Sequence, residues 1–375
     1  MTGVTGAAAV RVSVPLRRPL VTARGTWRSV DAWLVRLTDA SGRPGLGEAT
    51  LGPDADPADL AQLDGLVRSL VTDPGQVAGL VSDDEPAGRA TREPAPAEAA
   101  LGAALATAWL DLGHEPAGRP RATSVAVNAM IGAESLHASV AAARTAVADG
   151  FTTLKVKGGG EASTSELVDR LLAVRAAVGP DVRLRLDVNG TWDEAVAEER
   201  LSALRPIGLE LVEQPVAVGD GAAAAMARLR ARTGMPVGAD ESVTSVVAAR
   251  RLLDVGAVDV LVVKPARVGG PRAALAIAEL AVGAGVGVVI STLLETGVGL
   301  QAALVTAALL PPGGPPLAHG LATGPLLATD LLRCTAAAGA SSASRATCPV
   351  APGLGLVLDE AAVARHTIER LGAWV

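Results

Sequence analysis

Between Leu154 and Gly270 the chain repeats one pattern: a short apolar run stops at a charged or amide residue, and an Ala/Leu-rich helical stretch leads to the next run. The segments read LKVKGGG, LRLDVNG, LVEQP, GADES and VVKPARVGG. Their stops are Lys155 and Lys157, Asp187 and Asn189, Glu213, Asp240 with Glu241, and Lys264. The stops recur about every 24 to 30 residues, the length of one strand, one helix and two short connections. Such a βα repeat closes most naturally into a barrel, where polar residues at the C-terminal ends of the strands carry chemistry. The repeat therefore predicts an α/β barrel with its functional groups on one rim.

The alternation starts at Thr123. TSVAVNAM precedes a helix over 134–149, FTTLKVK is the second strand, and further strands are expected near 182–188, 209–213, 236–239, 258–263 and 286–291, with an eighth around Leu317. Leu167, Leu171, Val174 and Val178 form the apolar stripe of the helix after the second strand. Residues 1–122 read differently, as an α+β unit. Val10–Val14 and Val30–Thr38 are expected strands, and Glu48 ends a third. The intervening PLRRPLVTARGTWRS is too long for a simple hairpin, so a disordered loop or a lid is expected there. Helices are expected over 57–82 and 97–112, separated by the polar, Pro-rich surface loop SDDEPAGRATREPAP. After a barrel spanning 123–349, which ends in the low-complexity loop TAAAGASSASRATCP, residues of about 350–375 are expected to return to the N-terminal unit as a strand and helix.

A chain of 375 residues has ample length for a barrel with an attached layer. With no Tyr, one Phe, five Trp and a net charge of -6, it lacks both the stacking platforms and the positive field of a nucleic-acid binder. The start MTGVTGAAAVRVSV has no basic segment leading into a long apolar one, so no signal peptide and a cytoplasmic location are expected. The apolar stretch Gly297–Leu310 is too short to span a bilayer, so no membrane partner is expected. Cys334 and Cys348 read as free thiols.

Side chains alternate across a strand, so Lys155 and Lys157 share the face opposite Leu154 and Val156. If the apolar face packs on the helices, both lysines point into the barrel, as do Asp187 and Asn189. Interior charges are costly unless paired or bound to metal. Asp187, Glu213 and Asp240, ending three consecutive strands, are expected to converge, and hard oxygen donors suit Mg2+, with Mn2+ as the other candidate ion. The alternative is three unrelated salt bridges with the nearby lysines. Lys157 and Lys264, facing each other across the site, are candidate bases, because neighbouring cations disfavour the ammonium form. A divalent ion between two bases suits removal of a proton beside a carboxylate.

KVK, DVN, EQP, ADES and KPARVGG in this order resemble the enolase superfamily, in the branch containing muconate cycloisomerase, o-succinylbenzoate synthase, N-succinylamino acid racemase and dipeptide epimerases. A lysine base working with Mg2+ is that superfamily's known chemistry rather than a deduction from this chain. The resemblance covers nearly the whole chain and implies a (β/α)7β modified TIM barrel with an α+β capping domain. It implies Asp187, Glu213 and Asp240 as metal ligands, Lys157 as general base, Lys264 as the lysine on the opposite face, and Asn189 and Glu241 in support. Lys155 is expected to support by lowering the basicity of Lys157 rather than by direct proton transfer. Ser291 and Thr292 stand where the mandelate racemase branch has its histidine, and His319 alone does not restore one.

GLGE at Glu48, ISTLLETGVGL from Ile290 and HGLATGPLLATDL from His319 are most similar to o-succinylbenzoate synthases and N-succinylamino acid racemases. Arg267 matches the KPxRxGG form of the racemases, or else makes a rim salt bridge. The expected activity is an o-succinylbenzoate synthase-like dehydration, a β-elimination of water in menaquinone biosynthesis. The alternatives are an N-succinylamino acid racemase, a muconate cycloisomerase or a dipeptide epimerase. Asp330 stands alone where the epimerases carry DxD, and KGGG departs from the usual bulky residue after KxK. The expected partner is a small-molecule carboxylate, and a homo-oligomer is compatible with the sequence, which does not fix the oligomeric state. Arg24 and Trp27 in the capping loop, with Arg267, Gly270, Ser291, Thr292 and Glu295, are the candidate substrate contacts. Closure of the loop Pro15–Trp27 and of the Gly52 region would exclude water. An inert binding barrel is disfavoured, because no metal ligand and neither lysine is missing.

Overall fold

The computed structural model describes residues 4–22, 25–52, 55–74, 92–114, 119–132, 135–333, 344–349 and 352–374. Strict alternation builds the N-terminal sheet. Strand β1 (Val4–Thr22) pairs antiparallel with β2 (Gly25–Asp39), which pairs with β3 (Pro44–Ala49). Val10, Val12, Val14, Val30, Ala32 and Leu34 line one face, and Ala9, Trp33, Val35 and Leu37 line the other. The second face packs on the helices Pro57–Thr72 and Pro96–Asp111. Gly47 allows β3 to lie directly on the latter helix: a Cβ there would meet the Ala104 carbonyl oxygen at 1.9 Å.

The stretch Pro15–Trp27 is not a long loop. The hairpin continues through it, with Leu20 opposite Trp27 and Thr22 opposite Gly25. Pro15 and Pro19 break the hydrophobic alternation in the sequence, and the sheet absorbs them as a register shift between Pro15 and Leu20. Arg24 lies outside the described residues. The first helix ends at Thr72, while residues 75–82 and most of the Pro-rich loop, through residue 91, also lie outside them.

The barrel begins after β4 (Ser124–Ala126). Strands β5 (Ala129–Ile131), β6 (Thr153–Lys157), β7 (Arg183–Asp187), β8 (Leu211–Glu213), β9 (Val237–Ala239), β10 (Val260–Val263) and β11 (Gly287–Ile290) form one parallel sheet in chain order. Helices follow the strands, among them Leu136–Ala148, capped by Ser135, and Thr164–Val178. Leu167, Leu171 and Val174 of the second are fully buried with the outward residues Leu154, Val156, Leu184 and Leu186. Inside the barrel, Leu211, Val260, Val262, Val289 and Leu317 form an apolar floor.

The eighth strand expected around Leu317 is reduced to single bridges, Val127 with His319 and Ser291 with Gly320, which join the two ends of the sheet. Pro315 and Pro316 precede it and have no N–H to extend a ladder. Within the expected C-terminal loop, β12 (Arg345–Thr347) pairs with β4, whereas residues 334–343, including Cys334, lie outside the described residues. Cys348 is a buried free thiol whose pKa is raised by burial. The chain then forms the helix Glu360–His366 and β13 (Thr367–Leu371), which pairs with β1 as the edge of the N-terminal sheet. Among the described residues no helix is long and apolar enough to cross a membrane.

Candidate active site

The strand ends bring their charged residues to one rim. Asp187 and Glu213 close β7 and β8, and Asp240 follows β9. Their carboxylate oxygens lie within 4.8 Å of one another and all three residues are buried. Lys155 Nζ contacts Asp187 Oδ2 at 2.7 Å and Glu213 Oε1 at 2.6 Å. Lys157 Nζ contacts Asp187 Oδ2 at 2.6 Å and donates to Asn189 Oδ1 at 3.0 Å. Lys264 Nζ meets Asp240 Oδ2 at 2.6 Å. The two outer lysines thus reach the acidic group through different carboxylates, Lys157 at Asp187 and Lys264 at Asp240.

Local sequence explains how these groups are held. Asn189 and Gln214, just past β7 and β8, have φ of 49° and 45°, so the backbone turns sharply where each strand ends. Asn189 N donates to Asp187 Oδ1 at 3.1 Å, and its amide nitrogen donates to Glu241 Oε1 at 2.9 Å. Fully buried Gln214 accepts from the backbone N–H groups of Asp240 and Ser242 at 3.1 and 3.2 Å, tying the EQP and ADES segments together. The EQP segment is legible in the sequence, whereas the part Gln214 plays depends on the contact between two strand ends. After β10, Pro265 keeps Lys264 extended and starts the short helix Pro265–Val268. That helix brings Arg267 Nη1 to 2.7 Å from Asp240 Oδ1. The guanidinium thus lies against the acidic group at the rim.

The electrostatics follow from packing these charges out of water. Burial alone would lower the Lys155 ammonium, but Asp187, Glu213 and Asp240 outweigh it and hold the pKa above the usual lysine range. Burial raises Asp187 and Asp240, yet Lys155 and Lys157 on the first, and Lys264 and Arg267 on the second, pull both below the usual range. Glu213 is pushed up to about 8 by burial and then by Asp187.

The remaining candidates divide. Ser291, Thr292 and Glu295 follow β11 at the same rim and are buried. Thr292 Oγ1 lies 3.2 Å from Thr323 Oγ1. Glu295 Oε2 has no hydrogen-bond partner among the described residues, and its pKa is pushed up to about 7 by burial and then by Glu48. Gly270 packs closely: a Cβ on it would meet Ala106 Cβ at 2.8 Å on the helix Pro96–Asp111, so its lack of a side chain lets barrel and N-terminal unit come together. Trp27 is half-buried against the core that contains Leu16 and Leu327. His319 sits at the barrel closure, where Nδ1 accepts from Ile290 N at 3.0 Å. Burial and then Arg185 lower its pKa to about 3, so it is neutral.

Met130 was missed. It is in register with Lys155, and its neighbours Ala129 and Ile131 belong to the outward core, so it points inward from the middle of β5. There it is 38% exposed, an apolar residue on the strand beside Lys155. The available signal was a large apolar residue at an inward position of the strand VAVNAMI.

The model of the family described as "Enolase C-terminal domain-like" matches residues 138–362. The chain belongs to this family. An o-succinylbenzoate synthase of Thermobifida fusca (strain YX) is 44% identical over 51% of this chain, and the matched stretch spans 57% of that enzyme's length. An L-Ala-D/L-Glu epimerase of Bacillus subtilis (strain 168) is 31% identical over 78% of this chain and 81% of its own. Among solved structures, the muconate lactonizing enzyme of Pseudomonas fluorescens complexed with muconolactone superimposes with a TM-score of 0.78 at 28% identity, covering 97% of this chain and 99% of that one. The enolase-type barrel and the antiparallel sheet beside it are therefore shared across relatives with different names.

Proposed function

We propose that the protein is an o-succinylbenzoate synthase-type dehydratase that removes the α-proton of a carboxylate substrate and eliminates water. The observation carrying this reading is the pair of lysines reaching one buried acidic group through different carboxylates. The identity to the Thermobifida synthase favours elimination over the other reactions of the branch. We take residues 1–122 with about 350–375 as the capping unit and 123–349 as the catalytic barrel.

Asp187, Glu213 and Asp240 fit a divalent cation by donor chemistry: three hard oxygen donors from successive strand ends, buried and convergent, with Mg2+ the preferred ion and Mn2+ a substitute. When bound, such an ion supplies positive charge against the carboxylate of the substrate as its α-proton leaves. Lys157 Nζ takes that proton and returns it to the departing hydroxyl, so the C–O bond breaks with its electron pair and water leaves. Lys264 stays protonated on the opposite face and stabilises the developing negative charge. Lys155, held as a cation, fixes Asp187 and Glu213, and Asn189 orients Lys157. Thr292 and Glu295 offer polar contacts to the substrate at the rim, and Met130 offers an apolar one.

The test is turnover by the purified protein with Mg2+ on the synthase substrate, N-succinylamino acids, dipeptides and muconates. Dehydration is expected, and Lys157→Ala should cut it ~100- to 10,000-fold. Turnover of a muconate alone would refute the reading. Racemisation that survives Lys264→Ala would refute the opposed placement of the two lysines.

A further inference from the structure

We propose that Glu48 of the N-terminal sheet is a positioning residue that holds the loop after β11, residues 291–296, in the shape that presents Ser291, Thr292 and Glu295 at the barrel rim. This rests on the rim being the substrate site.

Glu48 lies on β3, far from the rim in sequence, and is 3% exposed. Its Oε1 accepts from Thr296 N at 2.9 Å, and its Oε2 accepts from Thr296 Oγ1 at 2.6 Å and from Gly299 N at 2.9 Å. Three donors from one turn of chain therefore converge on a single carboxylate, and no cation among the described residues forms an ion pair with it. The turn is the start of the helix Gly297–Ala308, whose Gly297 N is held at 2.9 Å by Asp330 Oδ1. Gly299 makes the approach possible: a Cβ there would meet Glu295 Cβ at 2.6 Å and Glu48 Oε2 at 3.3 Å.

A second observation points the same way. Leu294 has φ of 79°, a left-handed conformation that a leucine adopts only under constraint. Its side chain is 6% exposed and belongs to the core that holds Leu16, Val30 and Leu46 of the N-terminal sheet and Leu327 and Leu331. The loop is thus anchored twice into the sheet, by a buried leucine and by a buried carboxylate, on either side of Glu295. The backbone that sets the direction of Glu295 is constrained by the N-terminal unit, while its start at Ser291 is constrained by the barrel bridge to Gly320.

The decisive experiment is hydrogen exchange of the full chain, comparing the parent with Glu48→Gln, which keeps the volume and places an NH2 group against at least one of the three donors. Exchange in residues 291–299 should quicken about tenfold or more, with β6–β10 unchanged and Mn2+ affinity, the probe of the acidic triad, within about twofold. Thr296→Val, which removes a single donor, should show a smaller change confined to the same residues. If Glu48→Gln does not fold, that variant carries the test. Unchanged exchange in 291–299, or an equal rise throughout the barrel, overturns the proposal. In an active enzyme, Glu48→Gln should also alter the ratio of kcat/KM between two accepted substrates, which a purely stabilising residue would leave alone. Local quickening in a protein that turns over none of the substrates named above would support the clasp and count against the dehydratase reading.

Discussion

Glu295 should make the protein less stable as pH rises through the neutral range, and Glu295→Gln should remove that effect. The carboxyl is 3% exposed and one oxygen has no hydrogen-bond partner among the described residues. Burial, and then the charge of Glu48, raise its pKa from 4.5 to about 7. Between those values the folded chain keeps a proton that the unfolded chain has released. The native state then binds more protons, so stability falls with rising pH. At about 1.4 kcal/mol per pH unit of the window, the loss approaches ~3 kcal/mol. The assay is urea unfolding of parent and Glu295→Gln at about pH 5 and about pH 8. The parent should lose ~2.5 kcal/mol more than the variant across that interval, because the window is already partly crossed at about pH 5. Because Glu48 and Glu295 act on each other, the difference reports on Glu295 together with its effect on Glu48. If the gap between the two stays constant within about 0.5 kcal/mol, Glu295 is ionised throughout and the argument from burial fails.

With Mg2+ at about 100 times its dissociation constant, the parent should gain ~2.7 kcal/mol of stability, whereas Asp240→Asn should gain almost none while keeping its fold by circular dichroism. An equal gain in both would remove Asp240 from the ligand set. Gly47→Ala should cost about 1–3 kcal/mol in chemical denaturation through overpacking against the helix Pro96–Asp111, and an unchanged midpoint would show that β3 can shift. Met130→Gln should lower kcat/KM about tenfold for a ring-bearing carboxylate and leave a short aliphatic one unaffected. Equal losses on both would mean that Met130 does not touch the ring.

The rim was readable in advance because its spacing is dictated locally. A parallel strand needs a crossover helix, so Lys157, Asp187, Glu213, Asp240 and Lys264 recur at βα intervals, and alternation along β6 puts Lys155 and Lys157 on one side. The helix stripe of Leu167, Leu171 and Val174 was readable for the same reason. Where prolines interrupt a pattern, local reading failed: Pro15 and Pro19 looked like a loop, and the sheet continues past them with a register shift.

By itself the sequence determined the repeat, the order of its charged stops and hence the class of barrel, since these depend on residues a few positions apart. Only the tertiary structure decided that Gly270 packs on the helix Pro96–Asp111 and that Glu48 reaches the loop after β11. Those contacts join residues far apart in the chain, so they exist only once the N-terminal sheet and the barrel have packed together.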